Sequence, residues 1–144
     1  MKKSFLFLLP GVVAVSGCAT PVGEVAPTHN VEVIIRARNV YSGHAAAVSV
    51  QKDDGHGSTI VYAREDIQGY GNISHNEKPV KSGATFTANV RFYPLSGSAG
   101  TLPASSTLKA TILVDGVEKN TVTISGATPL NSTGGRIASI ATTL

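Results

Sequence analysis

Three observations predict that residues 30–144 of this 144-residue chain form a single antiparallel β-sandwich of about seven strands, immunoglobulin-like or transthyretin-like. From Asn30 onward, β-branched and aromatic residues alternate with polar ones at a period of two, the spacing of a half-buried strand. Clusters of Gly, Pro, Asn and Ser cut this alternation into short segments. No stretch of useful length carries the apolar stripe of an amphipathic helix. A closed barrel is the other way the same strands could pack.

The first strand is read from its parity: Val31, Val33, Ile35 and Ala37 face a core, while Glu32, Arg36 and Arg38 face outward. Weaker segments at 45–51 and 58–64 flank Asp53-Asp54-Gly55-His56-Gly57, which reads as a hairpin tip. The clearest strand covers 84–93. Ala84, Phe86, Ala88, Val90 and Phe92 share one face, with Thr85, Thr87, Asn89, Arg91 and Tyr93 on the other. Pro94 ends it, because proline has no N–H to give to a ladder. Leu108, Ala110, Ile112 and Val114 form the next inward row, opposite Thr107, Lys109 and Thr111. Asn120 to Ser125 and 136–143 complete the set.

Asp115-Gly116 has the composition of a two-residue hairpin turn, yet its flanks have the wrong parity for a simple one. Pairing Val114 with Val117 without interruption sets Leu108 opposite Thr123 and strands Val122 and Ile124 on the solvent face. One extra residue restores Ala110 opposite Val122 and Leu108 opposite Ile124. A one-residue slip flips every side chain, so burial selects a bulged hairpin.

Two long connections are expected, at 65–79 and 95–106, and long loops on a rigid sandwich are where binding usually resides. The first carries an aromatic and several hydrogen-bonding side chains, which makes Tyr70, Asn72, His75 and Asn76 the candidate partner-binding residues. Asn72-Ile73-Ser74 and Asn131-Ser132-Thr133 match glycosylation sequons but read as turn residues.

The amino-terminal segment has the three-part layout of an export signal: Lys2 and Lys3, then Phe5 to Val15 with almost nothing polar, then small residues. Pro10-Gly11 interrupts an apolar run already shorter than the ~20 residues a membrane-spanning helix needs. Val15-Ser16-Gly17-Cys18 resembles the lipobox of bacterial lipoproteins. That resemblance implies cleavage before Cys18, a diacylglycerol on its sulfur and an acylated amino terminus, palmitate being a typical chain. Each buried methylene contributes about 0.8 kcal/mol, so several chains make a durable anchor. Ala19 after the cysteine, rather than the Asp that favours inner-membrane retention in enterobacterial lipoproteins, implies the outer membrane, on its periplasmic face or the cell surface. Residues 18–29 then form a lipidated tether holding Pro21, Gly23 and Pro27, which extends no more than ~35 Å.

Removing the signal takes two of the 12 Lys and Arg, leaving ten basic against nine acidic side chains. Without a clustered basic run, the sequence gives no reason to expect nucleic-acid binding. The single cysteine is used by lipid, so packing and sheet hydrogen bonds alone must hold the domain. His44, His56 and His75 with Asp53, Asp54, Glu65 and Asp66 are the only candidates for a metal site or acid–base chemistry. Their spacings form no tight ligand pair and no His-Glu-x-x-His signature. No Gly-x-Ser-x-Gly elbow occurs. The expectation is a non-enzyme with no cofactor and no metal.

An all-β domain on a short lipid tether is similar in outline to the type VI secretion outer-membrane lipoprotein, a transthyretin-like sandwich that recruits an inner-membrane partner. The segment Ala84 to Ile112, with Phe-x-x-x-Val-x-Phe-Tyr-Pro and a Gly- and Ala-containing loop, also resembles the carboxy-terminal half of chaperone-usher pilins. With the lipobox, these outlines lead to the expectation of a non-catalytic outer-membrane lipoprotein that binds protein partners in a cell-envelope assembly such as a secretion or pilus apparatus, although pilins themselves usually lack a lipobox. The alternative is a surface-exposed, adhesin-like lipoprotein that binds host or phage ligands.

Overall fold

The period-two alternation is realised as eight strands in a computed structural model that describes residues 25–41, 43–97, 100–132 and 134–144. The export signal, the lipobox with Cys18 and the tether up to residue 24 lie outside the described residues. The strands are β1 (Thr28–Val40), β2 (His44–Asp53), β3 (Ser58–Ile67), β4 (Gly69–Lys81), β5 (Thr85–Pro94), β6 (Thr107–Val114), β7 (Val117–Ser125) and β8 (Arg136–Thr143). They form two antiparallel four-stranded sheets, ordered β4-β1-β6-β7 and β3-β2-β5-β8. The fold is therefore a β-sandwich, and β1 and β2 lie in opposite sheets. An immunoglobulin constant domain instead keeps its first two strands as neighbours in one sheet.

The additional strand is β4, which occupies most of the segment expected to be the 65–79 connection. Its inward row holds Gly71, Ile73, His75 and Glu77, set opposite Ala37, Ile35, Val33 and Val31 of β1. Only one of the four is aliphatic, so no apolar alternation marks the strand. Main-chain pairing along β1 holds it in place instead. Pro79 falls where the ladder shifts between His29 and Val31, at an edge and a bulge, where its missing N–H costs least.

The core lies between the inner faces, as the parity of β1, β5 and β6 predicts. Val31, Val33, Ile35, Leu108, Ala110, Ile112 and Ile124 meet Val48, Val50, Phe86, Ala88, Val90 and Phe92, all buried. Leu102, in the connection between β5 and β6, caps one end of this core. That connection crosses so close to Gly126 that a Cβ there would sit 1.9 Å from the Pro103 carbonyl oxygen. Only glycine fits.

The β6–β7 hairpin has the bulge that parity requires. Leu108 pairs with Ile124 and Ala110 with Val122, while Val114 still pairs with Val117. Asp115 (φ 52°) and Gly116 (φ 79°) both take positive φ, the geometry of a type I′ turn. The extra residue is absorbed at the shift between Ile112 and Leu113, which leaves Lys119 unpaired in the ladder. On the outer face, Thr111 is buried as well, its hydroxyl 2.8 Å from that of Thr121.

The two sides of the sandwich differ. β7 lies against β8, and Asn120 donates to the Ala141 carbonyl at 2.8 Å. The backbones of β3 and β4, on the other side, approach each other far less. Side chains span that gap, with the Tyr62 ring 5.1 Å from the His75 ring.

The two core phenylalanines should dominate stability. Phe86→Ala and Phe92→Ala are each expected to cost roughly 3–5 kcal/mol in urea denaturation, because each leaves a cavity between close-packed sheets. Thr87→Ala, on the outer face of the same strand, should cost well under half as much. Equal losses in all three variants would contradict the observed burial.

Candidate binding face

Strand β4 separates the four residues expected to act together. Tyr70, Asn72 and Asn76 project from the outer face, in register with the outward row of β1: Asn72 opposite Arg36 and Asn76 opposite Glu32. His75 is opposite Val33 and turns inward. They lie on an edge strand, not a loop, and strand alternation sends neighbours to opposite faces. His75 is partly buried in the seam between the sheets, with Nε2 3.2 Å from Glu77 Oε1 and the Tyr62 ring against it. Asn76 donates to Ser74 Oγ at 3.4 Å, and Ser74 donates to Glu32 Oε1 at 2.6 Å.

Tyr70 is held in place by Asn39. Its hydroxyl donates to Asn39 Oδ1 at 2.6 Å, while Asn39 Nδ2 donates to the Ser105 carbonyl at 3.4 Å. The buried Ser106 hydroxyl donates to the Asn39 carbonyl, which also accepts from the Tyr41 amide at 3.1 Å. Asn39 adopts φ 55°, a left-handed conformation that asparagine tolerates better than most residues. One residue thus ties together the end of β1, the start of β4 and the β5–β6 connection. The result is an edge-to-face pair of Tyr41 and Tyr70, ring centroids 6.3 Å apart and inclined at 70°. The two rings are 51% and 68% exposed, and they are the exposed aromatic side chains among the described residues.

Beside this corner lies a cationic group that strand-by-strand reading did not assemble. Arg36 and Arg38 follow each other along the outer face of β1, and Lys109 of β6 is directly opposite Arg36. Two shallow depressions adjoin them. One, of about 480 Å³, is lined by Arg36, Arg38, Tyr70 and Asn72. The other, of about 200 Å³, is lined by Arg36, Arg38, Thr107, Lys109 and Thr123. The outward parity of all three cations was legible in the sequence, but their adjacency needed the β1–β6 register.

Acidic groups collect at the other end of the same sheet. Glu32 and Glu118 are both opposite Leu113, and Asp115 forms the turn beyond them. Asp115 also clamps the entry to β1. Its Oδ2 lies 2.7 Å from His29 Nδ1, its Oδ1 accepts the Asn30 amide at 2.9 Å, and His29 Nε2 reaches Ser82 Oγ at 3.0 Å. The hydrogen bond with His29, then that from the Asn30 amide, hold the Asp115 carboxyl below its ordinary value of 3.8.

The candidate metal and acid–base residues are dispersed. His44 begins β2 opposite Pro94, and His56 sits on the β2–β3 turn, which is the hairpin tip expected there. The Asp53 and Asp54 carboxylates accept the Gly55 and His56 amides at 2.9 and 3.2 Å. Glu65 pairs with Arg91 at 2.9 Å and Asp66 with Arg64 at 3.2 Å. Among the described residues, no three His, Cys, Asp or Glu side chains group as a metal site. No family model matches the chain, and no curated protein or solved structure is significantly similar to it.

The clamp at the β1 entry should make stability depend on acid. Because the folded Asp115 carboxyl titrates below its unfolded value, its contribution is complete above about pH 4 and is lost as pH falls through the folded value. Asp115→Asn keeps a residue suited to the type I′ turn. The gap in denaturation midpoint between wild type and this variant should therefore close as pH drops from 5 toward 2.5. A gap that persists unchanged at low pH would show that the carboxylate is not the stabilising form.

Proposed function

We propose that the protein is a non-catalytic outer-membrane lipoprotein, anchored through a lipidated Cys18, whose sandwich binds a protein partner in a cell-envelope assembly. The supporting observation is the exposed Tyr41–Tyr70 corner, fixed by Asn39. Tyrosine provides a large contact area with few rotatable bonds, and a preorganised aromatic pair loses little entropy on docking. The position of the corner suits a tethered receptor. The chain enters at Thr28, where the Pro27 carbonyl accepts the Ser82 amide at 3.0 Å, and the corner lies past the far end of β1. A strand from Thr28 to Val40 spans about 40 Å, which sets the tyrosines at the opposite end of the domain from the chain entry.

Two experiments test this reading. Cys18→Ser should abolish labelling by a palmitate analogue and leave unprocessed precursor or soluble periplasmic protein; unchanged labelling would remove the lipoprotein assignment. Tyr41→Ala and Tyr70→Ala should each weaken crosslinking to the envelope partner tenfold or more, as truncating an interface anchor does. Loss of Tyr70's single exposed hydrogen bond should cost about 1 kcal/mol of stability. Undiminished crosslinking in the double variant would place the partner elsewhere.

A further inference from the structure

We propose that the outer face of the β4-β1-β6-β7 sheet binds an acidic peptide segment, whose carboxylates are taken by Arg36, Arg38 and Lys109. The inference rests on the protein-partner reading above and supplies the chemistry of the bound segment. It starts from a cost. Arg36 and Lys109 are directly opposed across the β1–β6 ladder, and like charges in that position destabilise a sheet. Arg38 adds a third cation on the same face, one pleat along, about 7 Å from Arg36.

Among the described residues, no ion pair offsets this repulsion. The ion pairs among the described residues join His29 to Asp115, Arg64 to Asp66, His75 to Glu77 and Arg91 to Glu65. None includes Arg36, Arg38 or Lys109. Glu32, on the same row of β1, is four residues from Arg36, about 13 Å along the strand, and already accepts the Ser74 hydroxyl. Glu32 therefore lies too far along the strand to neutralise Arg36. A ligand with spaced negative charges would relieve the repulsion that the protein leaves in place.

Geometry narrows the class of ligand. In an extended peptide, alternate side chains project to one side about 6.8 Å apart, which matches the pleat spacing of Arg36 and Arg38. Guanidinium groups engage carboxylates in bidentate fashion, and Thr107, Thr123 and Asn72 line the same depressions as hydrogen-bonding partners. The depressions are continuous with the tyrosine corner, since Tyr70 and Asn72 line one of them together with both arginines. A lipid headgroup fits less well. Arg36 lies eight residues beyond the chain entry at Thr28, about 26 Å toward the end away from the tether.

The test uses the purified full-length chain in mild detergent and a fluorescent peptide of five Glu-Thr repeats, with five Gln-Thr repeats as the neutral control. The acidic peptide should bind and the neutral one should not. Arg36→Gln with Lys109→Met should weaken binding at least tenfold. Lys52→Gln with Lys81→Gln removes the same charge from the opposite end of the sandwich and should change it less than threefold. Lys109→Met alone should raise the melting temperature by about 1–4 °C while weakening the peptide, a combination that a purely structural lysine would not give. Equal losses in the two double variants would reduce the effect to net charge and overturn the proposal. So would a fall in melting temperature for Lys109→Met. Tighter binding of phosphatidylglycerol vesicles or polygalacturonate than of the acidic peptide would reassign the face to a membrane or a polysaccharide. Because the probe is a free peptide, these outcomes are independent of whether the tyrosine variants lose the cellular partner.

Discussion

Strand β1 is hydrogen-bonded on both sides over Val31 to Ala37, to β4 and to β6, and its parity fixes what each face of that sheet can be. Val33 and Ile35 in the core bring Ile112 and Ala110 into it from one neighbour, and His75 and Ile73 toward it from the other. The same parity forces Glu32, Arg36 and Arg38 outward. A slip of one residue would bury two arginines and expose the aliphatic row, an exchange costing far more than the 5–15 kcal/mol that holds a typical domain folded. Register, core and the charged face are consequences of one constraint.

Without a disulfide among the described residues, the two ends of β1 are secured by polar clamps. At the entry, His29, Asp115 and Ser82 join the first strand to the β6–β7 turn and the β4–β5 turn. At the exit, Asn39 joins it to Tyr70, Ser105 and Ser106. Each clamp satisfies polar groups where the ladder stops. The exit clamp also orients the tyrosine corner, so the part of the molecule that ends the core preorganises its most exposed aromatic surface.

The second sheet shows the complementary device. Ala45 and Ala47 on the outer side of β2 are buried because larger side chains cross over them. Arg91 of β5 reaches Glu65 of β3 over this low ground, and the Tyr93 hydroxyl donates to the Glu65 carbonyl. The Arg91 and Glu65 charges on that face are matched to each other within the fold. Arg36, Arg38 and Lys109 of the other sheet have no such ion pair among the described residues, and that contrast makes them a candidate for an external partner.

The alternating rows around Phe86, Leu108 and Val33 determined by themselves that the chain is all-β, which side of three strands is buried and that the β6–β7 hairpin is bulged. Each of these follows from a local period or a count of residues across one turn, whereas two facing sheets in place of a closed barrel were decided by the strand pairing. β4 was not legible, because Gly71, His75 and Glu77 occupy its inward row and an edge strand held by main-chain pairing needs no apolar pattern. For the same reason the group Tyr70, Asn72, His75 and Asn76 could be proposed as a unit although alternation divides it. The pairing of Arg36 with Lys109, and of Tyr41 with Tyr70, joins residues 73 and 29 positions apart in the chain. Only the tertiary structure could decide them, because spacing along one strand carries no information about which strand lies beside it.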